Sequence, residues 1–146
     1  MKTLLFVCTG NTCRSPMAAC LMNDLALRLG KSVHAVSAGV GAWPGMEASE
    51  GAKRAMERRG LSLENHLSQP VTRRLLERAD WAVGMNEGHA RRLKAMGVLT
   101  PIRAFDDPPI TDPYGGGDDV YEQAARDIER QLPALLAALE AEGGKR

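Results

Sequence analysis

With 146 residues, 44% of them hydrophobic, the chain has material for one ordinary core, and one domain spanning residues 1–146 is expected. Its 19 basic and 18 acidic side chains leave a formal charge of +1, a balance that argues against nucleic-acid or membrane-surface binding. The apolar stretches are too short to cross a bilayer, and the run from Met1 to Val7 is too short for a secretion signal. The three cysteines all fall between positions 8 and 20 and make no disulfide framework, so a cytoplasmic location is expected.

Apolar runs alternate with helical periodicity, the pattern of βαβ units and a parallel sheet covered on both faces. Leu4 to Cys8 reads as a first strand. Arg14 to Leu29 carries Met17, Ala18, Leu21, Met22 and Leu25 at helical spacing and ends at Gly30. A second strand is predicted at Val33–Ser37, a helix from about Glu47 to Arg59, a linking segment from Leu61 to Val71 and a short helix at Thr72–Arg78. Trp81–Met85 is the third strand, Glu87–Met96 a helix, and Pro101–Phe105 a short fourth strand whose leading proline suits a strand start or a sheet edge. Asp106 to Gly117, rich in Pro and Gly, reads as a long loop. Asp118 to Glu142 is then one amphipathic helix interrupted by Pro133, and Gly143–Arg146 should fray. The arginines at 54, 58, 59, 73, 74 and 78 read as solvated helix surface.

The chemistry concentrates where the first strand meets the first helix. Unpaired N–H groups at a helix start converge on the loop before it and favour an anion. Five residues separate Cys8 from Arg14, enough to wrap Thr9, Gly10, Asn11, Thr12 and Cys13 round one tetrahedral anion, with the thiol beneath and the guanidinium at the edge. The thiolate is the nucleophilic form of cysteine, and a helix N-terminus and a cation both favour it. Cys8 is therefore the candidate nucleophile, and Arg14 the clamp on phosphoryl oxygens. Ser15 can donate to the sulfur or cap the helix, and Asn11 can brace the loop while accepting a left-handed backbone. A carboxyl on the 106–117 loop can serve as general acid, but Asp106, Asp107, Asp112, Asp118 and Asp119 all qualify by position. His66 reads as structural, and His34 and His89 stand in no pattern.

The run Val7-Cys8-Thr9-Gly10-Asn11-Thr12-Cys13-Arg14-Ser15-Pro16 resembles the signature loop of the low-molecular-weight protein tyrosine phosphatases. The likeness continues through Ser37-Ala38-Gly39, Ala79-Asp80, Met85 and Asp112-Pro113-Tyr114, and so covers most of the chain. It implies an α/β three-layer sandwich of the phosphotyrosine protein phosphatase I-like type, a four-stranded parallel sheet with helices on both faces. It chooses Asp112 as the general acid, gives Asn11 the loop-supporting role, and sets Trp43 and Tyr114 as aromatic walls of a substrate pocket. The implied reaction is hydrolysis of a phosphorylated protein or peptide through a phosphocysteine, releasing inorganic phosphate. No metal or organic cofactor is expected, because the positive groups are already in the loop. Cys13, beside Cys8, can form a disulfide that protects the nucleophile reversibly, and Cys20 falls in the core.

Phosphotyrosine is the leading substrate reading, and Trp43 favours it. Thr12, where tyrosine-specific relatives usually carry an aliphatic residue, and Tyr114-Gly115-Gly116-Gly117, which lacks a second aromatic, resemble protein-arginine phosphatases instead. Two remoter readings are an arsenate reductase, which needs relay cysteines absent beyond Cys20, and a noncatalytic phosphate-binding module, which has no use for the thiol or Asp112.

Overall fold

A computed structural model describes residues 1–143 of the chain. Its centre is β1 (Lys2–Cys8), followed by α1 (Arg14–Arg28), β2 (Val33–Gly39), α2 (Glu50–Glu57), α3 (Arg73–Arg78), β3 (Trp81–Gly84), α4 (Glu87–Lys94), β4 (Ile102–Ala104) and α5 (Asp118–Gly143). The strands pair in the order β2-β1-β3-β4, all parallel. β1 alternates its apolar residues between two cores, as a strand covered on both faces must. Leu4, Phe6 and Cys8 face a core built with α1, α2 and α5, while Leu5 and Val7 face a smaller one with Leu76 of α3 and Leu93 of α4. These are the three layers expected, with four parallel strands in the middle.

The chain leaves β1 towards β2 on one side and comes back to β3 on the other. The crevice at the carboxyl end of β1 is therefore the topological switch point, where open α/β sheets bind ligands. Three helices open on side-chain caps: Ser49 accepts from Ala52 N, Thr72 from Leu75 N and Asn86 from His89 N. Because Ser49 is the cap, α2 begins three residues later than the sequence predicts. Glu47 instead pairs with Leu67 in an antiparallel bridge, after a turn at Pro44–Gly45 in which Gly45 has φ 83. α5 runs through Pro133 without a break, and the predicted fraying tail at 144–146 lies outside the described residues.

The outer edge of β2 is closed by side chains. Asn23 Nδ2 donates to Ala35 O at 2.9 Å and Asn23 Oδ1 accepts from Ala35 N at 2.8 Å, while Gln69 Nε2 donates to Ser37 O at 3.0 Å. Four of the arginines read as solvated helix surface have partners. Arg59 binds Glu122 and Glu129 of α5, Arg58 binds Glu122, Arg54 binds Asp118, and Arg73 donates to the carbonyls of Met96 and Gly97. Among the described residues no helix is long and apolar enough to cross a membrane.

Candidate active site

α1 differs from the other capped helices. Its N-cap position is Cys13, whose side chain makes no capping hydrogen bond, so the first-turn N–H groups are left for something else. The loop before it turns its carbonyls outward. Cys8 O accepts from Val40 N, Thr9 O from Gly41 N, Thr12 O from Ser49 N, and Asn11 O contacts His66 Nε2 at 2.7 Å. In a trans peptide the N–H points opposite to its C=O, so outward carbonyls aim the following N–H groups at the loop's centre. Among the described residues the N–H groups of Thr9, Gly10, Thr12, Cys13 and Arg14 find no protein acceptor. Asn11 sustains the turn with φ 57. Its side chain donates to Ser15 Oγ at 2.8 Å and Ser37 Oγ at 3.0 Å and accepts from Gln69 N at 2.9 Å. It is fully buried, and every bond it makes holds the loop open.

Beneath the amides lies Cys8 Sγ, 2.8 Å from Ser15 Oγ. Ser15 has one proton and already accepts from Asn11. It donates to Ala38 O at 3.4 Å, and against Sγ either atom can be the donor; once Cys8 is a thiolate, only Ser15 can supply the proton. Ser15 therefore sits against the sulfur, and among the described residues its hydroxyl caps no helix N–H. Arg14, whose side chain is 6% exposed, donates from Nη1 to Ile110 O at 3.0 Å and lies 3.9 Å from Asp112 Oδ2. A buried guanidinium with one hydrogen bond and one loose ion pair keeps donors for an oxyanion. Asp112 is half exposed, and its Oδ1 accepts from Tyr114 N at 3.1 Å, so its own turn orients the carboxyl at the rim. Cys8 through Arg14, with Asp112 and Tyr114, enclose a cavity of about 230 Å³. A larger cleft, about 620 Å³, opens between α1, β2 and residues 61–69, but none of these charged groups lines it. Among the described residues a soft nucleophile, a ring of donors, one cation and one carboxyl converge in the smaller cavity.

The family model for low molecular weight phosphotyrosine protein phosphatase matches residues 3–145. The chain belongs to that family. A protein-arginine-phosphatase of Bacillus subtilis (strain 168) is 35% identical over 144 residues, covering 93% of this chain and 95% of that protein. The low molecular weight protein-tyrosine-phosphatase YfkJ of the same strain is 31% identical over 155 residues, covering 97% and 98%. Among solved structures, a YwlE arginine phosphatase mutant with a phosphorylated active site serine superimposes with a TM-score of 0.88 at 33% identity, over 94% of this chain and 95% of that one.

Set in this phosphatase fold, the remaining candidate residues fall into two groups. Tyr114 stands at the cavity as expected, 78% exposed. Trp43 does not line it. The indole is 79% exposed on a loop whose backbone is pinned by Ser68, which bonds Trp43 O and Met46 N, so among the aromatic candidates Tyr114 lines the cavity and Trp43 does not. Cys8 and Cys13 are free thiols. Cys13 Sγ lies 3.2 Å from Ser49 Oγ and 3.4 Å from Tyr121 Oη, and burial, then the Cys13 contact, push the Tyr121 phenol up to about 12. Cys20 is only half buried and borders the larger cleft. His66 is structural, bonded to Asn11 O, and burial lowers its pKa. His89, which sequence reasoning passed over, is buried on α4 with Nε2 3.0 Å from Thr9 Oγ1. No local pattern marks it, because only the pairing of β3 beside β1 brings it to the loop.

Proposed function

We propose that this phosphatase removes phosphoryl groups from protein side chains, phosphotyrosine foremost, through a phosphocysteine at Cys8. The observation that carries the reading is the Cys8 sulfur 2.8 Å from Ser15 Oγ, under a ring of inward amides and beside a buried Arg14. The Cys8 thiolate attacks phosphorus in line, an S–P bond forms, and the bond to the leaving oxygen breaks. Arg14 and the loop amides hold the equatorial oxygens as charge spreads. The Asp112 carboxyl gives its proton to the departing oxygen. In the second step its carboxylate takes a proton from water as that water displaces sulfur, releasing inorganic phosphate. Ser15 donates to the sulfur and eases its departure. A phosphorylated serine in a relative's active site supports a covalent intermediate at this position. The cytoplasm, where thiols stay reduced, suits such a nucleophile.

A second reading, phosphoarginine, is favoured by Thr12. It lines the cavity with a hydroxyl where an alkyl group would exclude a polar guanidinium, Trp43 lines no wall, and one relative is named a protein-arginine-phosphatase. Two assays test the proposal. Purified protein should hydrolyse p-nitrophenyl phosphate, and Cys8→Ser should lower turnover by about 10³-fold or more; an inactive parent overturns the reading. Phosphotyrosyl and phosphoarginyl peptides should be compared in parent and Thr12→Ile. The variant should shift preference towards phosphotyrosine, and an unchanged ratio removes Thr12 from the argument.

A further inference from the structure

His89 is 5% exposed, and its Nδ1 is buried with no hydrogen-bond partner. Its other nitrogen, Nε2, meets Thr9 Oγ1 at 3.0 Å, eighty residues away in sequence. Thr9 directly follows Cys8 and is the first residue of the ring. Its carbonyl is already held by Gly41 N, so the backbone is fixed on one side and the side chain on the other. We propose that His89 is a positioning residue: the uncharged imidazole clamps Thr9 and thereby sets the first amide of the anion-binding ring.

Three features of the packing support this. The His89 backbone is held at the start of α4 by the Asn86 cap, which accepts from His89 N at 3.1 Å, and its Cβ packs closely on Gly84 of β3. A Cβ at Gly84 would lie 2.8 Å from His89 Cβ, so β3 and α4 are in direct contact there. The ring also stays neutral. An imidazolium carries N–H on both nitrogens, and Nδ1–H would be buried without an acceptor. The charges facing it are Arg14 from α1, Arg92 on α4 and Asp112 from the long loop. Burial first, then the two arginines, outweigh the carboxylate and hold its pKa to about 4. Neutrality matters beside Arg14, since a second buried cation would repel the guanidinium that must take the anion.

The inference rests on the phosphatase reading, so the test carries a readout independent of turnover. Binding of inorganic phosphate is measured by calorimetry on the parent, His89→Ala, His89→Gln, Thr9→Val and the double variant His89→Ala/Thr9→Val, alongside p-nitrophenyl phosphate kinetics. His89→Ala should weaken phosphate binding about tenfold and raise KM in proportion. Glutamine places its amide nitrogen near the imidazole Nε2 and should restore most of the affinity. Thr9→Val should reproduce the loss, and the double variant should be no worse than either single one. If His89→Ala loses thermal stability or active fraction while phosphate affinity and KM stay at the parent value, the residue is merely structural and the proposal is overturned. Additive losses in the double variant overturn it as well. A parent that binds phosphate without turnover removes the phosphatase reading and leaves the His89 clamp to be judged on affinity alone.

Discussion

At the scale of single residues, Gly39, the last residue of β2, is pressed against backbone. A Cβ there would stand 2.4 Å from Thr9 O, 2.9 Å from Ala42 Cβ and 3.0 Å from Asn11 N, all within or beside the catalytic loop. Backbone atoms have no rotamer to move to, so Gly39→Ala must push the loop out of shape. We expect kcat/KM on p-nitrophenyl phosphate to fall about 100-fold, because a displacement of roughly 1 Å costs that much in an oriented site. Unaltered kinetics would show that the loop relaxes freely. The contrast between Cys8 and His89 shows what a sequence discloses at this scale. Cys8, Arg14 and Ser15 sit on consecutive turns of chain, so their spacing already implies their meeting. His89 reaches Thr9 only because two strands far apart in sequence lie side by side.

At the scale of elements, the ion pair of Arg54 with Asp118 and a clamp at Arg59, just past the end of α2, tie α2 to α5. Arg59 Nη2 bonds Glu122 Oε2 at 2.7 Å and Arg59 Nη1 bonds Glu122 Oε1 at 2.9 Å, while Glu129 takes Arg59 Nε at 3.0 Å. Hydrogen bonds from Arg59 above all, with Arg58 and Arg126 adding to them, hold the Glu122 carboxyl at about 2 against the opposing effect of burial. A carboxylate depressed on folding stabilises the native state above its unfolded value. That contribution is full above about pH 4.5 and is lost as the pH falls towards 2. Glu122→Gln should therefore lower stability at neutral pH by about 1–2 kcal/mol, with a smaller loss of Tm between pH 5 and 2 than the parent shows. Equal acid sensitivity in both proteins would refute the clamp. Periodicity located both helices, but it could not tell a paired arginine from a solvated one. That distinction depends on which helix lies opposite. The start of α2 differs from the sequence expectation for a similar reason: Glu47 has good helix propensity, yet a bridge to Leu67 claims it and Ser49 caps the helix.

At the scale of the molecule, the alternation of apolar runs and helices was enough to anticipate four parallel strands between two helical layers. Strand order was not, and strand order is what puts the switch point over Cys8, gathers Asp112 and Arg14 round one cavity and brings His89 against Thr9 of its wall. The same sheet has a flank at β2 that could in principle go on adding strands. Asn23 occupies both outward hydrogen-bonding positions of Ala35, imitating with one amide the peptide group of a neighbour that never arrives. Replacing it with leucine should bare those groups to water and to other molecules. Asn23→Leu is expected to form concentration-dependent oligomers by light scattering, with p-nitrophenyl phosphate turnover per folded chain near the parent value. The side-chain amides of Asn23 and Gln69, with the 69–71 backbone at Gly39, thus stand in for a missing neighbour strand, so the open face of the sheet does its chemistry while its rim stays closed to other chains.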